Sequence, residues 1–189
     1  MIVDARTMGA PDRFRTLENL ESALRDLPHS PADRGRVALI VTRGELGQRE
    51  TPKTVLLTPD GGVPGDTWGR QHDRELDAQI AVMQLDVARL VANEQPLTLF
   101  GDSLFLELDL SRDNLPSGSR VRVGAAILEV TPKPHNGCRK FLGRFGNGAL
   151  RFVSMPELRH RNLRGIYLRV IEEGDAAPGD PVEVISRGR

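Results

Sequence analysis

The chain has 189 residues, 39% hydrophobic and 28% charged, enough for one ordinary globular domain with a substantial core and too few for two full ones. Its 26 basic and 26 acidic residues cancel, so no global field draws it to nucleic acid or an anionic membrane, and any electrostatic function has to be local. The longest aliphatic run, Val37-Ala38-Leu39-Ile40-Val41, is far short of the roughly 20 residues that cross a bilayer, which excludes a helical membrane span.

The N-terminal stretch Met1-Ile2-Val3-Asp4-Ala5-Arg6 has an early acid and no apolar core, so no secretory signal is expected and the cytoplasm is the expected location. From Asp12 to Leu27, Phe14, Leu17, Leu20, Leu24 and Leu27 recur at helical spacing and Pro28 closes the run, which predicts one amphipathic helix. Residues 1–35 are therefore read as an N-terminal helical extension. Arg36–Arg43 is rich in β-formers and predicts a buried strand.

Short strands punctuated by turns then follow. Thr54–Thr58 is a strand candidate before the turn Pro59-Asp60-Gly61-Gly62. Gln79–Gln84 is another, with Asp86 placed to cap a short helix through Asn93. Leu97–Leu110 is long and mostly apolar, interrupted at Gly101-Asp102-Ser103. The clearest hairpin joins Arg120–Val123 to Ala126–Thr131 across Gly124-Ala125. Asn136–Arg151 reads as loop and short helix. Gly165–Ile171 is a strand, Glu172–Asp175 and Pro178–Asp180 are turns, and Pro181–Ile185 is a last strand. Without strands alternating with long helices, this pattern predicts a mainly β fold over residues 36–189, a closed or nearly closed barrel. No internal repeat and no Gly-rich phosphate loop is present, which argues against an NTPase or a nicotinamide dehydrogenase.

Although the charges cancel overall, they separate along the chain. From Lys133 to Arg169 nine basic residues face one acid, Glu157, and the single cysteine, Cys138, lies inside that block. One cysteine excludes a disulfide framework and a zinc site built on cysteine pairs, but a lone thiol can still be a nucleophile or a metal ligand. Cationic neighbours favour a thiolate, and Arg139 and Lys140 follow Cys138 directly, with His135 three residues upstream to tune it. An isolated cysteine is more often a small buried hydrophobe. Here the turn-like, charged run Pro134-His135-Asn136-Gly137-Cys138-Arg139-Lys140 points to an exposed one. The basic run reads equally well as a solvated face. Trp68 and Tyr167 read as packing residues, His72 and His160 as solvated, and His29 carries no signal.

At this point the sequence resembles a known family, the MOSC domain, named from the C-terminal domain of molybdenum cofactor sulfurase. The resemblance runs through Gly101-Asp102-Ser103-Leu104, Asp109-Leu110, Leu115-Pro116-Ser117-Gly118-Ser119 and the hairpin Val121–Thr131. It continues through the loop His135–Phe141, the strand Arg164–Val170, Glu173-Gly174, Gly179-Asp180 and Val182. A second stretch, Gly62-Val63-Pro64-Gly65-Asp66-Thr67-Trp68, is similar to the glycine-rich segment that opens the family's domain. The resemblance implies a strongly bent β-barrel and a functional cysteine carried onto Cys138, as a molybdenum ligand or as a carrier of sulfur in a persulfide. Two departures bear on the ligand site: Asp102-Ser103 stands where the family has an acidic–amide pair, and Thr67 where a basic residue often follows the Gly-Asp step.

The expected cofactor is the molybdenum cofactor (molybdopterin), an anion with a phosphate, which needs positive charge and hydrogen-bond donors around a soft sulfur ligand. The resemblance to the larger family members also brings in pyridoxal phosphate, which is expected to belong to their separate desulfurase domain, a domain not expected in this sequence. With Cys138 as thiolate, Arg139, Lys140, Arg144 and Arg164 would bind phosphate or pterin oxygens, and His135 and Asn136 would shape the surroundings. Asp66, Arg70 and Asp102 would approach from neighbouring loops, although Gly65-Asp66 and Gly101-Asp102 also read as ordinary turn pairs. The expected activity is that of a molybdenum-dependent oxidoreductase acting on N-hydroxylated small molecules, with a redox partner, or of a metal-free sulfur transferase fed by a cysteine desulfurase. A module that grips a nucleotide or nucleic acid without catalysis ranks last, since few aromatic residues stand beside the arginines to stack bases.

Overall fold

The computed structural model describes residues 8–188; the N-terminal stretch Met1–Arg6 lies outside them. In chain order the strands are β1 (Arg34–Ile40), β2 (Thr42–Arg43), β3 (Arg49–Glu50), β4 (Val55–Leu57), β5 (Ile80–Gln84), β6 (Leu104–Leu106), β7 (Arg120–Val123), β8 (Ala126–Val130), β9 (Ile166–Glu172), β10 (Gly174–Ala176) and β11 (Pro181–Ser186). The α-helices are α1 (Leu17–Asp26), α2 (Leu85–Ala92) and α3 (Arg139–Val153). Among the described residues, seven strands close a barrel in the order β1-β11-β7-β8-β9-β5-β6, with two small accessory sheets, β10-β4 and β2-β3. The expected mainly β barrel with an N-terminal amphipathic helix is what the chain forms.

Period-two alternation builds the barrel wall. In β7, Val121 and Val123 are buried and Arg120 and Arg122 exposed; β8 and β9 alternate in the same way. The inward side chains, among them Ile80, Val82, Leu104, Leu128 and Leu168, form one core. All neighbouring barrel strands run antiparallel except β5 and β6, which are parallel. A parallel pair needs a crossover, and α2 lies on that connection. Because α1, α2 and α3 cover this side, β5 is buried on both faces: Met83 and Phe105 point outward into a second core with Leu20, Leu24, Phe145 and Phe152. Among the described residues no helix is long and apolar enough to cross a membrane.

Several elements differ from the sequence expectation, among them the run 36–43, which breaks after Ile40 so that Thr42–Arg43 pairs in a separate sheet, and α2, whose cap position is Gln84 and not Asp86. Helix α1 starts at Leu17 because Thr16 caps it, its side-chain oxygen accepting from the Asn19 N–H at 3.2 Å, while Pro11–Arg13 forms a separate 3-10 turn. The long apolar run 97–110 pairs only at Leu104–Leu106, and Leu97–Leu99 is a 3-10 turn. Gly174–Ala176, read as turn, pairs with β4. The largest difference is α3, a helix of 15 residues kinked at Gly146, where loop and short helix were expected. Its signal is the buried stripe Phe141, Phe145, Ala149 and Phe152, spaced four, four and three, which the interleaved glycines and basic residues obscure.

Candidate functional site

Cys138 stands at the cap position before α3 with extended backbone, and its carbonyl accepts from the Leu142 N–H at 3.0 Å. Its side chain makes no capping bond, and the thiol is exposed. It lines a cleft of about 290 Å³. The outward-facing loop predicted from the polar neighbours of this cysteine is therefore present.

Three parts of the chain bring cations to the cleft. Lys140 and Arg144 come from the first turns of α3, and Arg164 comes from the residue pair that leads into β9. Arg43 and Arg49 come from the two strands of the small β2–β3 hairpin. His135 and Asn136 complete the loop side, and Tyr167, Thr67 and Phe141 also line the cleft.

Two buried aspartates hold two of these arginines. Asp66, 2% exposed, accepts from Arg43 Nε at 2.8 Å, Arg43 Nη2 at 2.6 Å, the Arg43 backbone N–H at 3.0 Å and the Trp68 N–H at 2.9 Å. These donors outweigh burial and hold the Asp66 carboxyl below its ordinary range. The third Arg43 nitrogen donates to the Gly101 carbonyl at 2.8 Å, fixing the whole guanidinium plane. Asp102, fully buried, accepts from one nitrogen of Arg164, Nη1, at 3.0 and 2.8 Å. Here burial prevails and pushes the carboxyl up, against the pull of Arg164, Arg43 and Arg144.

Burial also shapes the remaining groups. His135 Nδ1 lies 3.5 Å from Asp102 Oδ1 without making a hydrogen bond, and burial together with Arg164 and Arg43 pushes the imidazole well below its ordinary value, so it is neutral near pH 7. Its ring lies 4.4 Å from that of Tyr167, whose phenol is pushed up by burial and by Asp102. Arg144 donates to the Leu99 carbonyl at 2.8 Å, and burial and Arg164 push its pKa down. Arg49 is pushed down to about 10 by burial and by Arg144 and Arg43. Among the described residues it donates to the Gly47 and Gln48 carbonyls, and its Nε, like that of Arg164, is buried with no partner among them. Crowded guanidiniums with unmet donors beside an exposed sulfur have the charge and the hydrogen-bond donors that an anion requires.

Of the residues singled out in the sequence, Cys138, His135, Asn136, Lys140, Arg144 and Arg164 come together in the cleft. Arg139 is exposed and does not line it, because it sits one residue from Lys140 on a helix whose other face carries Phe141 and Phe145. Asp66 and Asp102 lie beneath the cleft as the partners of Arg43 and Arg164. Arg70 is exposed; it donates to the Arg43 carbonyl at 2.9 Å and to the Gly65 carbonyl, bracing the loop from outside. Arg43 and Arg49 were missed as site residues. Neither lies in the basic block from Lys133 to Arg169, and only strand pairing carries them to it. Tyr167, read as packing, lines the cleft, and Trp68, 3% exposed, is packing as expected.

A family model, the MOSC domain, matches residues 69–183. The chain belongs to the MOSC domain family. The uncharacterized protein YflK of Bacillus subtilis is 30% identical over 89 residues, a stretch that spans 47% of this chain and 38% of YflK. Among solved structures, YiiM from Geobacillus stearothermophilus superposes with a TM-score of 0.55 at 19% identity, over 82% of this chain and 76% of that one. The YUAD protein from Bacillus subtilis superposes equally well at 16% identity, over 82% of this chain and 97% of that one. These likenesses extend the shared fold beyond the matched segment, which begins after Arg43, Arg49 and Asp66.

Proposed function

We propose that the cleft binds the molybdenum cofactor, with Cys138 as the protein ligand to the metal. The observation that carries this reading is an exposed thiol sharing one cleft with Arg43, Arg49, Arg144, Arg164 and Lys140. Among the described residues no three His, Cys, Asp or Glu side chains are grouped to hold a metal ion. The chain therefore offers a metal one soft ligand, which suits an ion held mainly by an organic dithiolene rather than a bare cation. The unmet Nε donors of Arg49 and Arg164 suit the phosphate and pterin oxygens of such a group. When bound, the group supplies a redox metal with open coordination positions, suited to reducing N-hydroxylated small molecules.

This chain's own residues then bind and orient. Asp66 and Asp102 keep Arg43 and Arg164 aimed while leaving their outer edges to the ligand. Neutral His135 adds no positive charge beside the sulfur, and Asn136 offers an amide.

A second reading is favoured by the sulfur being exposed and making no capping bond to the helix. In it, the Cys138 thiolate attacks the outer sulfur of a donor persulfide R–S–SH. The new Cys138–S–SH bond forms as the donor S–S bond breaks and R–S⁻ departs, with no net oxidation.

Protein made in a host that synthesises the cofactor should carry about one molybdenum per chain by elemental analysis, and Cys138→Ser should lose the metal. Arg49→Gln should leave folding intact and lower the metal content. Trace metal unchanged by Cys138→Ser would overturn the reading. Metal-free protein gaining 32 Da, about one sulfur, on Cys138 after treatment with a cysteine desulfurase would establish the second reading instead.

A further inference from the structure

A second, larger cavity, of about 600 Å³, shares His135, Asn136 and Arg164 with the thiol cleft but does not include Cys138. It is bounded by the end of β8, the 132–136 loop, the C-terminal end of α3 and the 3-10 turn Pro156–Arg161. The volume is in the range of small-molecule sites. Nothing in the proposed cofactor chemistry uses it.

Its lining has a two-sided character. One part is apolar, with Leu115, Val153, Leu158, Leu163 and Ile166. The other part carries Arg112, Lys133, Arg159 and Arg164, and among the described lining residues none is acidic. Two of these cations are already matched, Lys133 by Glu75 and Arg164 by Asp102. Arg112 and Arg159 have no acidic partner among the described residues. The buried Arg164 Nε and His135 Nδ1, both without hydrogen-bond partners, belong to the wall shared with the thiol cleft.

We infer that this cavity is a second binding site, for an amphipathic organic anion: a molecule with an apolar body and one carboxylate or phosphate head. The apolar wall excludes a highly charged polyanion, since each further charge would face hydrocarbon without a partner. The two unmatched arginines disfavour a neutral or cationic ligand of the same shape. This site gives a role to part of the basic block of the sequence. Lys140 and Arg144 serve the thiol cleft, Lys133 and Arg159 serve the larger cavity, and Arg164 stands between them. The inference goes beyond the cofactor reading and does not depend on what Cys138 holds.

The test is calorimetric titration of the whole chain with octyl phosphate and with octanoate below their micelle-forming concentrations, using octyl glucoside as the neutral counterpart. Saturable binding of at least one anion is expected, and the tighter of the two identifies the head group. Arg112→Gln/Arg159→Gln should weaken it by about tenfold, the product of two exposed charge contacts. Both residues are exposed and have no acidic partner among the described residues, so the variant should melt like the parent. Lys140→Gln and Cys138→Ser, which change only the thiol cleft, should bind the anion as the parent does. Failure of both anions to bind, equal binding of octyl glucoside, an unchanged affinity in the double arginine variant, or an equal loss in Lys140→Gln would each overturn the inference.

Discussion

The cleft rests on two aspartate–arginine pairs that look alike in sequence and behave differently in the fold. Asp66 and Asp102 each follow a glycine in a turn, each is buried, and each holds an arginine that lines the thiol cleft. Asp66 collects four donors from Arg43 and Trp68, two of them backbone N–H groups, and is held as a firm anion. Asp102 meets a single guanidinium nitrogen, and burial prevails over it. The lesson is that an ion pair's character follows from the number of hydrogen bonds that replace water at the carboxylate, not from the presence of the counter-charge.

The sharpest way to break this comparison is to remove each charge while keeping the shape. Asp66→Asn leaves two Arg43 nitrogens and two backbone donors competing for one oxygen, and turns an amide N–H toward them. We expect it to cost about 4 kcal/mol in urea denaturation. Asp102→Asn retains an oxygen for Arg164 Nη1, and Arg164 keeps its place 5.1 Å over the Phe141 ring. Its cost should be about 2 kcal/mol, since the carboxylate it replaces is poorly solvated. Equal costs, or the reverse order, would show that counting donors is the wrong criterion.

A second contrast, with a smaller largest cost, separates the two supporting loops. Gly165, next to Arg164, has φ +97° and would set a Cβ 2.1 Å from the Val82 carbonyl oxygen, whereas Gly65, next to Asp66, has φ +71° and only an ordinary 3.6 Å contact with Thr42 Cγ2. Gly165→Ala should therefore cost about 3 kcal/mol and Gly65→Ala about 1 kcal/mol, the latter being left-handed backbone strain alone. Thermal melts of the two variants measure the difference. Melting of Gly165→Ala within a degree of Gly65→Ala would mean that the strand β5 gives way to the added carbon.

What the sequence made legible follows the range of the interactions involved. The hairpin Arg120–Val130 was readable because alternation and a two-residue turn are local, and the exposure of Cys138 because its neighbours are polar. The closure of the barrel was legible only as a class, since the pairing of β1 with β6 and β11 joins distant segments. The thiol side of the cleft sits in one continuous basic run and could be listed from it. Arg43 and Arg49 could not, because their approach depends on the β2–β3 hairpin and on Asp66 turning Arg43 inward. The distinction between the two aspartates was likewise hidden: Gly-Asp looks the same whether the carboxylate gathers four donors or one.

The smallest effect, and the one that isolates Asp102 from its neighbour, is the pH dependence of stability. Asp66 has a folded pKa below that of the unfolded chain, so its contribution is complete above about pH 4 and is lost as the pH falls further. His135, also depressed, is neutral in the fold while the unfolded chain takes up a proton below about pH 6.5, so its contribution is complete above that value and declines in acid. Asp102 has the opposite sign: its raised pKa means that the fold binds the proton more readily than the unfolded chain does, so lowering the pH through the raised value stabilises. As the pH falls below about 6.5 the parent should lose stability through His135, and Asp102 acts in the opposite sense as it takes up its proton. His135→Gln should abolish the loss, and Asp102→Asn should deepen it. Urea midpoints at pH 7, 6 and 5 for the three proteins give the slopes; if Asp102→Asn makes the decline shallower, Asp102 titrates like Asp66 and the two pairs are one kind after all.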